Sequence, residues 1–318
     1  MNDLYLKLPG NKDNIHDAAT ILLEDAPHRL PKPTIVPREE VSLEEIADHL
    51  HFCFLTLGEK IGIGGLAAVY RMMLHDDTLF ALKVPLKANR RAYEHFTIEA
   101  RLLRDLHKEQ APVPELVSHG ISAGFPYLLM GDLGPDYLHV PHITLTKYAT
   151  VDKATRIALR VCDALQALHR RGYRHNDIKS ANIHYGFSGD VHLLDFASAT
   201  PLDSVEDTHV FSPLYLAPER VTHEFPVSAA VDVFGLGVTL YEILAKDCPF
   251  KAAQQLRSIP DIHEHIHLVR TRGYAPLLGY TPKLTHLVYA MLSHNPAERP
   301  SIHSIREVLG DIRKEYFE

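Results

Sequence analysis

Four polar side chains at fixed offsets, Asp177, Lys179, Asn182 and Asp195, constrain this chain more than any other feature. They lie in two short runs, His175-Asn176-Asp177-Ile178-Lys179-Ser180-Ala181-Asn182 and Val191-His192-Leu193-Leu194-Asp195-Phe196-Ala197. A long apolar-periodic helical segment, Thr155 to His169, precedes the first. Residue types at these offsets suit one chemistry: an aspartate orients a hydroxyl and accepts its proton, and a lysine two residues on meets a migrating phosphoryl group. An asparagine and a second aspartate then hold Mg²⁺.

Upstream, Gly62-Ile63-Gly64-Gly65-Leu66-Ala67-Ala68-Val69 has the spacing of a glycine-rich phosphate loop between two strands, with Ala67 where a third glycine is usual. Small residues let backbone amides approach phosphate oxygens, although ligand-free hairpins share the pattern. Ala81-Leu82-Lys83 ends a later strand, and Glu99 follows sixteen residues on, within an amphipathic segment from Glu94 to Leu106 that carries Phe96, Ala100, Leu103 and Leu106 on one face. An ion pair between Lys83 and Glu99 is expected, with the lysine clamping phosphates. Strands are expected over Phe52 to Gly62, Ala68 to Leu74, Leu79 to Val84, Leu116 to His119 and Tyr127 to Met130, with a hairpin at His75-Asp76-Asp77. Beyond Gly134 the pattern is mainly helical, with segments at Ser228 to Ala245 and Leu284 to Leu292. A β-rich lobe thus precedes an α-rich one, an α+β class.

At 318 residues the chain is long enough for one two-lobed domain plus an extension. Residues 1–41 mix charges with prolines and read as an extension, partly disordered; Ser42-Leu43-Glu44-Glu45 matches a capping box opening a short helix within 42–54. The first lobe is read as 55–130, a hinge as 131–133 and the second lobe as 134–318. The net charge of −7 argues against a nucleic-acid partner, and no apolar run of about 18 residues exists to span a membrane. The start Met1-Asn2-Asp3-Leu4 lacks a signal-peptide layout and a myristoylated glycine. Cys53, Cys162 and Cys248, odd in number and far apart, fit a reducing compartment and so a cytoplasmic location, including one reached by delivery into a host cell. His263-Glu264-His265-Ile266-His267 reads as a solvated helix whose alternate spacing splays the side chains, rather than a metal site.

From Leu55 to Leu309, about four-fifths of its length, the chain resembles the eukaryotic-type Ser/Thr protein kinases, with the motifs in the family's order. The resemblance implies a two-lobed protein kinase fold and Mg²⁺-dependent use of ATP, with Mn²⁺ as an alternative ion. It implies that Lys83 and Glu99 form the lobe-bridging pair, Asp177 is the catalytic base, Lys179 supports the phosphoryl group, and Asn182 and Asp195 bind the metal. Gly62, Ile63, Gly64, Gly65, Val69 and Ala81 would line the nucleotide. Met130 would be the gatekeeper, and Gly131-Asp132-Leu133 the hinge meeting adenine, with His184 beneath the base. His175 and Phe196 take the family's structural positions in the two motifs. Ser212-Pro213-Leu214-Tyr215-Leu216-Ala217-Pro218-Glu219 resembles the end of an activation segment, with Ser212 placed to contact Lys179. Asp232 resembles the residue that anchors the catalytic loop, and Arg299 is placed to pair with Glu219 and build a peptide-docking shelf. These features favour protein substrates with Ser/Thr acceptors.

Asn176 stands where many family members carry an arginine that reads an activation-segment phosphate, so activation is expected not to depend on phosphorylation of Ser198, Thr200, Ser204 or Thr208. Ala197 replaces glycine after Asp195-Phe196 and narrows the backbone's choices. His184 replaces an aliphatic residue. With Ala67, these departures support a rival reading, a pseudokinase scaffold without transfer; a small-molecule kinase is a third.

Overall fold

The computed structural model describes residues 55–74, 76–122, 124–134, 150–186, 188–204, 212–247, 249 and 274–317. The N-terminal extension, the capping-box helix, Thr208, Cys53, Cys248 and the histidine run at 263–267 lie outside the described residues. The chain divides into two compact units, one from residues up to Ala100 together with Glu115–Gly134, the other from Arg101–Pro114 and Pro135 onward.

The first unit is a five-stranded antiparallel sheet in the order β1-β2-β3-β5-β4. Its strands are β1 (Leu55–Ile63), β2 (Ala67–Leu74), β3 (Leu79–Pro85), β4 (Leu116–Ser122) and β5 (Phe125–Gly131). Period-two alternation on β2 and β3 sends Met72, Phe80, Leu82 and Val84 into one core with Phe125 and Leu129. Burying each such side chain stabilises the fold by about 1.5–3 kcal/mol relative to leaving it in water. Where β2 turns into β3, Asp77 takes a positive φ of 64°, a conformation that Asn and Asp tolerate better than most residues. Helix α1 (Arg90–Lys108) carries the amphipathic stripe, burying Phe96, Glu99 and Ala100; its first residue lies four before the amphipathic segment that opens at Glu94, with Asn89 Oδ1 accepting from the Ala92 amide at 2.9 Å.

The second unit is built on helices α2 (Val151–Arg170), α4 (Ala230–Ala245), α5 (Pro282–Met291) and α6 (Ile302–Phe317), with the one-turn α3 (Glu219–Thr222). Thr150 caps α2, its side chain accepting from the Lys153 amide at 3.1 Å. Short strands β6 (Tyr173–Arg174) and β9 (Thr200–Pro201) pair, as do β7 (Ile183–Tyr185) and β8 (Val191–Leu193). Helix α4 is apolar nearly all round and is buried from Val231 to Leu244, as such a helix must be. Gly235 on α4 lets the backbone of the 175–182 loop lie against the helix: a Cβ there would fall 2.7 Å from the Ile178 carbonyl oxygen. Among the described residues no helix is long and apolar enough to cross a membrane. Cys162 is a buried free thiol, and burial pushes its pKa far up, so it stays protonated and unreactive.

Candidate active site

In the first unit, β1 and β2 form the expected hairpin around Gly64-Gly65-Leu66, closed by the Gly64 amide donating to the Ala67 carbonyl at 2.8 Å. Gly62 faces Val69 across the ladder, and a Cβ at 62 would sit 3.3 Å from that of Val69. Among the described residues nothing lies within 4 Å of a Cβ built on Gly65, and Ile63 is exposed beside it. Lys83 donates to both carboxylate oxygens of Glu99, at 2.7 and 2.8 Å, with both residues buried. A buried ammonium held two-sidedly by one carboxylate is a fixed positive point, suited to phosphate oxygens. Ala81 lies opposite Met130 in the β3–β5 ladder, both buried. Gly131 closes β5, its amide donating to Glu115 at 3.0 Å, and Leu133 follows.

The second unit holds the four residues of the opening motif. Asp177 accepts through Oδ2 from Lys179 Nζ at 2.7 Å and from Asn182 Nδ2 at 3.0 Å, while its buried Oδ1 has no partner among the described residues. A carboxylate with one oxygen fixed and the other free is equipped to take a proton from a hydroxyl. Lys179 reaches on to Ser212 Oγ at 2.7 Å, the contact expected for that serine. Asn182 spends its amide nitrogen on Asp177, on the backbone carbonyl at 2.8 Å and on Oδ2, so its amide oxygen takes no part in those bonds. The Leu194 amide donates to the Asn182 carbonyl at 2.8 Å, tying Asp195 to the same place. An amide oxygen and a carboxylate are the hard donors that Mg²⁺ takes, so these residues fit that ion.

Asp232 in the first turn of α4 organises this loop. Fully buried, it accepts from the amides of His175 and Asn176 and from His169 Nε2, each at 2.8 Å. Burial alone would raise its pKa; the His169 hydrogen bond and the neighbouring donors outweigh that and hold it below the ordinary value. His175 is fully buried, edge-on to Phe196 at 4.9 Å between centroids, with Nε2 3.1 Å from the Leu194 carbonyl. Burial lowers its pKa against the pull of Asp232 and Asp177. Because the folded ring resists protonation, its contribution to stability is whole above about pH 6.5 and is lost as the pH falls below that value. Urea unfolding at about pH 7.5 and about pH 5.5 is expected to show the lower midpoint at the acid value, with His175→Phe flattening this difference. Equal slopes in both proteins would assign the acid loss elsewhere.

Asn176 occupies positive φ (70°), as does Asp195 (60°). Ala197 therefore sits in a short 3₁₀ turn and needs no glycine, its amide facing Asp195 Oδ1 at 3.4 Å. The Asn176 side chain donates to the Ser198 carbonyl and to Thr200 Oγ1, each at 2.8 Å, and accepts from Arg174 Nε at 2.9 Å. Arg174, only 1% exposed, carries its guanidinium onto the carbonyls of Pro201, Leu202 and Ser204 at 3.0–3.2 Å. Arg299 meets Glu219 two-sidedly at 2.6 and 2.8 Å, both side chains wholly buried, and lies over the Phe234 ring at 5.0 Å. His184 is buried on β7 opposite His192 on β8.

Three contributors were not read from the sequence. Arg174 is one; its signal was an arginine two residues before Asn176. Arg220 donates to the Asn176 carbonyl at 2.8 Å. Glu242, the second acid of the otherwise apolar α4 after Asp232, accepts from Ser180 at 2.8 Å and Tyr215 at 2.7 Å, tying both the loop and the 212–219 segment to α4.

A family model for the protein kinase domain matches residues 55–309. The human serine/threonine-protein kinase ULK3 is 30% identical over 260 residues, covering 77% of this chain and 52% of the relative. PknD of Chlamydia pneumoniae is 26% identical over 292 residues (79% of this chain, 30% of the relative), and PknB of Mycolicibacterium smegmatis 30% over 268 (76% and 40%). The chain thus spans about half or less of the length of these relatives, each named a serine/threonine-protein kinase. With a sheet-built first unit, a helical second unit and the motifs in the family's order, this chain belongs to the protein kinase family.

Proposed function

We propose that this protein transfers the γ-phosphoryl group of ATP to serine and threonine hydroxyls of protein substrates, with Mg²⁺ as the working ion. The observation that carries this reading is the Asp177 carboxylate, one oxygen fixed by Lys179 and Asn182 and the other buried without a partner among the described residues. Its free oxygen aligns the acceptor hydroxyl and accepts its proton. Lys179, steadied by Ser212, supplies positive charge to the migrating group, and Lys83, braced by Glu99, does so for the nucleotide phosphates. Gly62, Gly64 and Gly65 present backbone amides to those phosphates, with Ile63 and Val69 beside them. In the first unit Ala81, Met130, Gly131 and Leu133 are the residues proposed to meet the base, and in the second unit His184 is. Asn182 and Asp195 would hold Mg²⁺, which supplies neutralisation of phosphate charge when bound. The Glu219–Arg299 pair steadies a shelf for a peptide, which favours a protein acceptor over a small molecule. With γ-labelled ATP and Mg²⁺, label is expected on a basic protein substrate. Label going to a small molecule instead, or no transfer with Mg²⁺ or Mn²⁺ despite nucleotide binding, would overturn this reading, the second in favour of a scaffold.

Activation does not wait on a phosphate in the 195–219 segment. Where the family's phosphate reader would stand, Asn176 binds neutral groups, and Arg174 is spent on three backbone carbonyls of that segment. Replacing Ser198, Thr200, Ser204 and Thr208 together by alanine is expected to leave turnover within a few-fold of wild type, the remaining loss reflecting the Thr200 hydrogen bond, worth about 0.5–1.5 kcal/mol. Loss of all activity in a folded quadruple variant would show that phosphate is required.

A further inference from the structure

The β7–β8 hairpin carries a second group of potential ligands beside those assigned to Mg²⁺. His184 and His192 are direct cross-strand partners, with ring centroids 6.0 Å apart. Asp190, at the end of the connecting turn, places Oδ2 3.8 Å from His192 Nδ1. One ligand atom from each of the three lies within 4.8 Å of the others. The turn is shaped to leave that carboxylate its place: a Cβ on residue 186 would fall 2.7 and 2.8 Å from the two Asp190 oxygens, and Gly186 removes it. The backbone holds the same geometry, the Gly186 amide donating to the Asp190 carbonyl at 2.9 Å, and the Ser188 hydroxyl donates to the Asp190 side chain. His184 is buried, His192 half-buried and Asp190 exposed, so the group opens to solvent along one side.

We propose that His184, Asp190 and His192 form a site for a borderline transition-metal ion, Zn²⁺ in the first instance, and that its occupancy opposes nucleotide binding. Two imidazoles and one carboxylate suit Zn²⁺, Co²⁺ or Cu²⁺, whereas Mg²⁺ and Ca²⁺ take oxygen sets. With Zn–N bonds of about 2.0–2.1 Å, tetrahedral ligand atoms stand about 3.4 Å apart. Binding would have to draw the present separations in to that spacing, by rotation of the imidazoles on the hairpin. Three protein ligands leave a fourth position for water, the open arrangement of an exchangeable ion rather than a closed structural one. Arg160 lies within electrostatic reach of His192 and weakens the hold on a dication, which also favours reversible binding. The opposition to nucleotide rests on the reading above, in which His184 lies beneath adenine: a ring turned to a metal no longer presents its face to the base. By linkage, the nucleotide then weakens the metal by the same factor.

The test is a titration of metal-free, full-length protein with Co²⁺, a spectroscopic stand-in for Zn²⁺, followed by visible absorption. One equivalent showing four-coordinate bands, displaced by Zn²⁺, is expected from wild type. Asp190→Asn and His192→Ala are expected to weaken it at least as much as the roughly 10–100-fold typical of losing a residue that only hydrogen-bonds a metal ligand. Equal binding by these variants would place the ion on other histidines of the chain and overturn the site, as would the absence of four-coordinate bands. Adenosine, which lacks phosphates that would sequester the ion, is then added. Its weakening of Co²⁺ binding supports the antagonism. If the metal binds through Asp190 and His192 and adenosine has no effect on it, the site stands and the antagonism is overturned. Failure of metal-free protein to bind ATP at all would overturn the phosphotransfer reading independently of the titration.

Discussion

Asp177→Ala is expected to lower kcat by about 10²–10⁴, the contribution a positioned general base supplies, while leaving nucleotide affinity near that of wild type. Asp177 Oδ1 is buried and unpaired among the described residues, so removing it breaks no hydrogen bond with them, and the proposed role leaves that oxygen to the acceptor hydroxyl. Lys179 keeps Ser212 as a partner when the carboxylate is removed, and its side chain is 22% exposed, so its charge keeps access to water. Asn182 keeps its second acceptor, the residue 177 carbonyl. The variant should therefore stay folded with Lys179 and Asn182 in place, and the loss should appear in kcat and not in the affinity for ATP. Near-normal turnover in this variant would remove Asp177 from the chemistry.

Arg299→Ala is expected to cost about 3–5 kcal/mol of stability, as removal of one partner from a buried ion pair does, or a fall of about 6–20 °C in Tm for a domain of this size. The number follows from what is left behind. Glu219 has no exposed side-chain surface, so its carboxylate would be stranded without its two-sided donor. The carbonyls of Ser293 and Ala230 also lose donors at 2.8 and 2.9 Å, and the Phe234 ring loses the guanidinium over its face. Replacing both charges at once, as Glu219→Leu with Arg299→Met, should recover much of the loss, because no unpaired charge is then buried. A thermal shift for the single variant equivalent to under about 1 kcal/mol would mean that water reaches Glu219 and that the pair is weaker than its burial implies.

The residues proposed for phosphoryl transfer could be picked out as one group because their spacing is local. Asp177, Lys179 and Asn182 lie within one loop, and hydrogen bonds over two to five residues fix their mutual geometry. The β-rich then α-rich order was equally plain, since period-two runs give way to long helical ones, and the strand and helix boundaries moved by only a few residues. Glu219 and Arg299, eighty residues apart, are different. No periodicity or local offset joins them, and only the family resemblance suggested the pair. Asn176 illustrates a partial reading. The sequence marked the missing arginine, but that Arg174 turns onto the 201–204 backbone depends on β6 pairing with β9, a register set by the fold. Ala197 was expected to constrain the backbone; the left-handed conformation instead falls on Asp195 and Asn176, whose side chains tolerate it. The meeting of His184, Asp190 and His192 depends on the turn between β7 and β8, whose five residues give no hydrophobic pattern from which a register could be read.

Acid hydrolysis of protein labelled by the wild-type chain from γ-labelled ATP, with Asp177→Ala processed alongside, tests the proposed activity most directly. Label recovered as phosphoserine and phosphothreonine from wild type, and absent from Asp177→Ala, is the predicted result. Label on neither residue, or equal labelling by the two proteins, would contradict it.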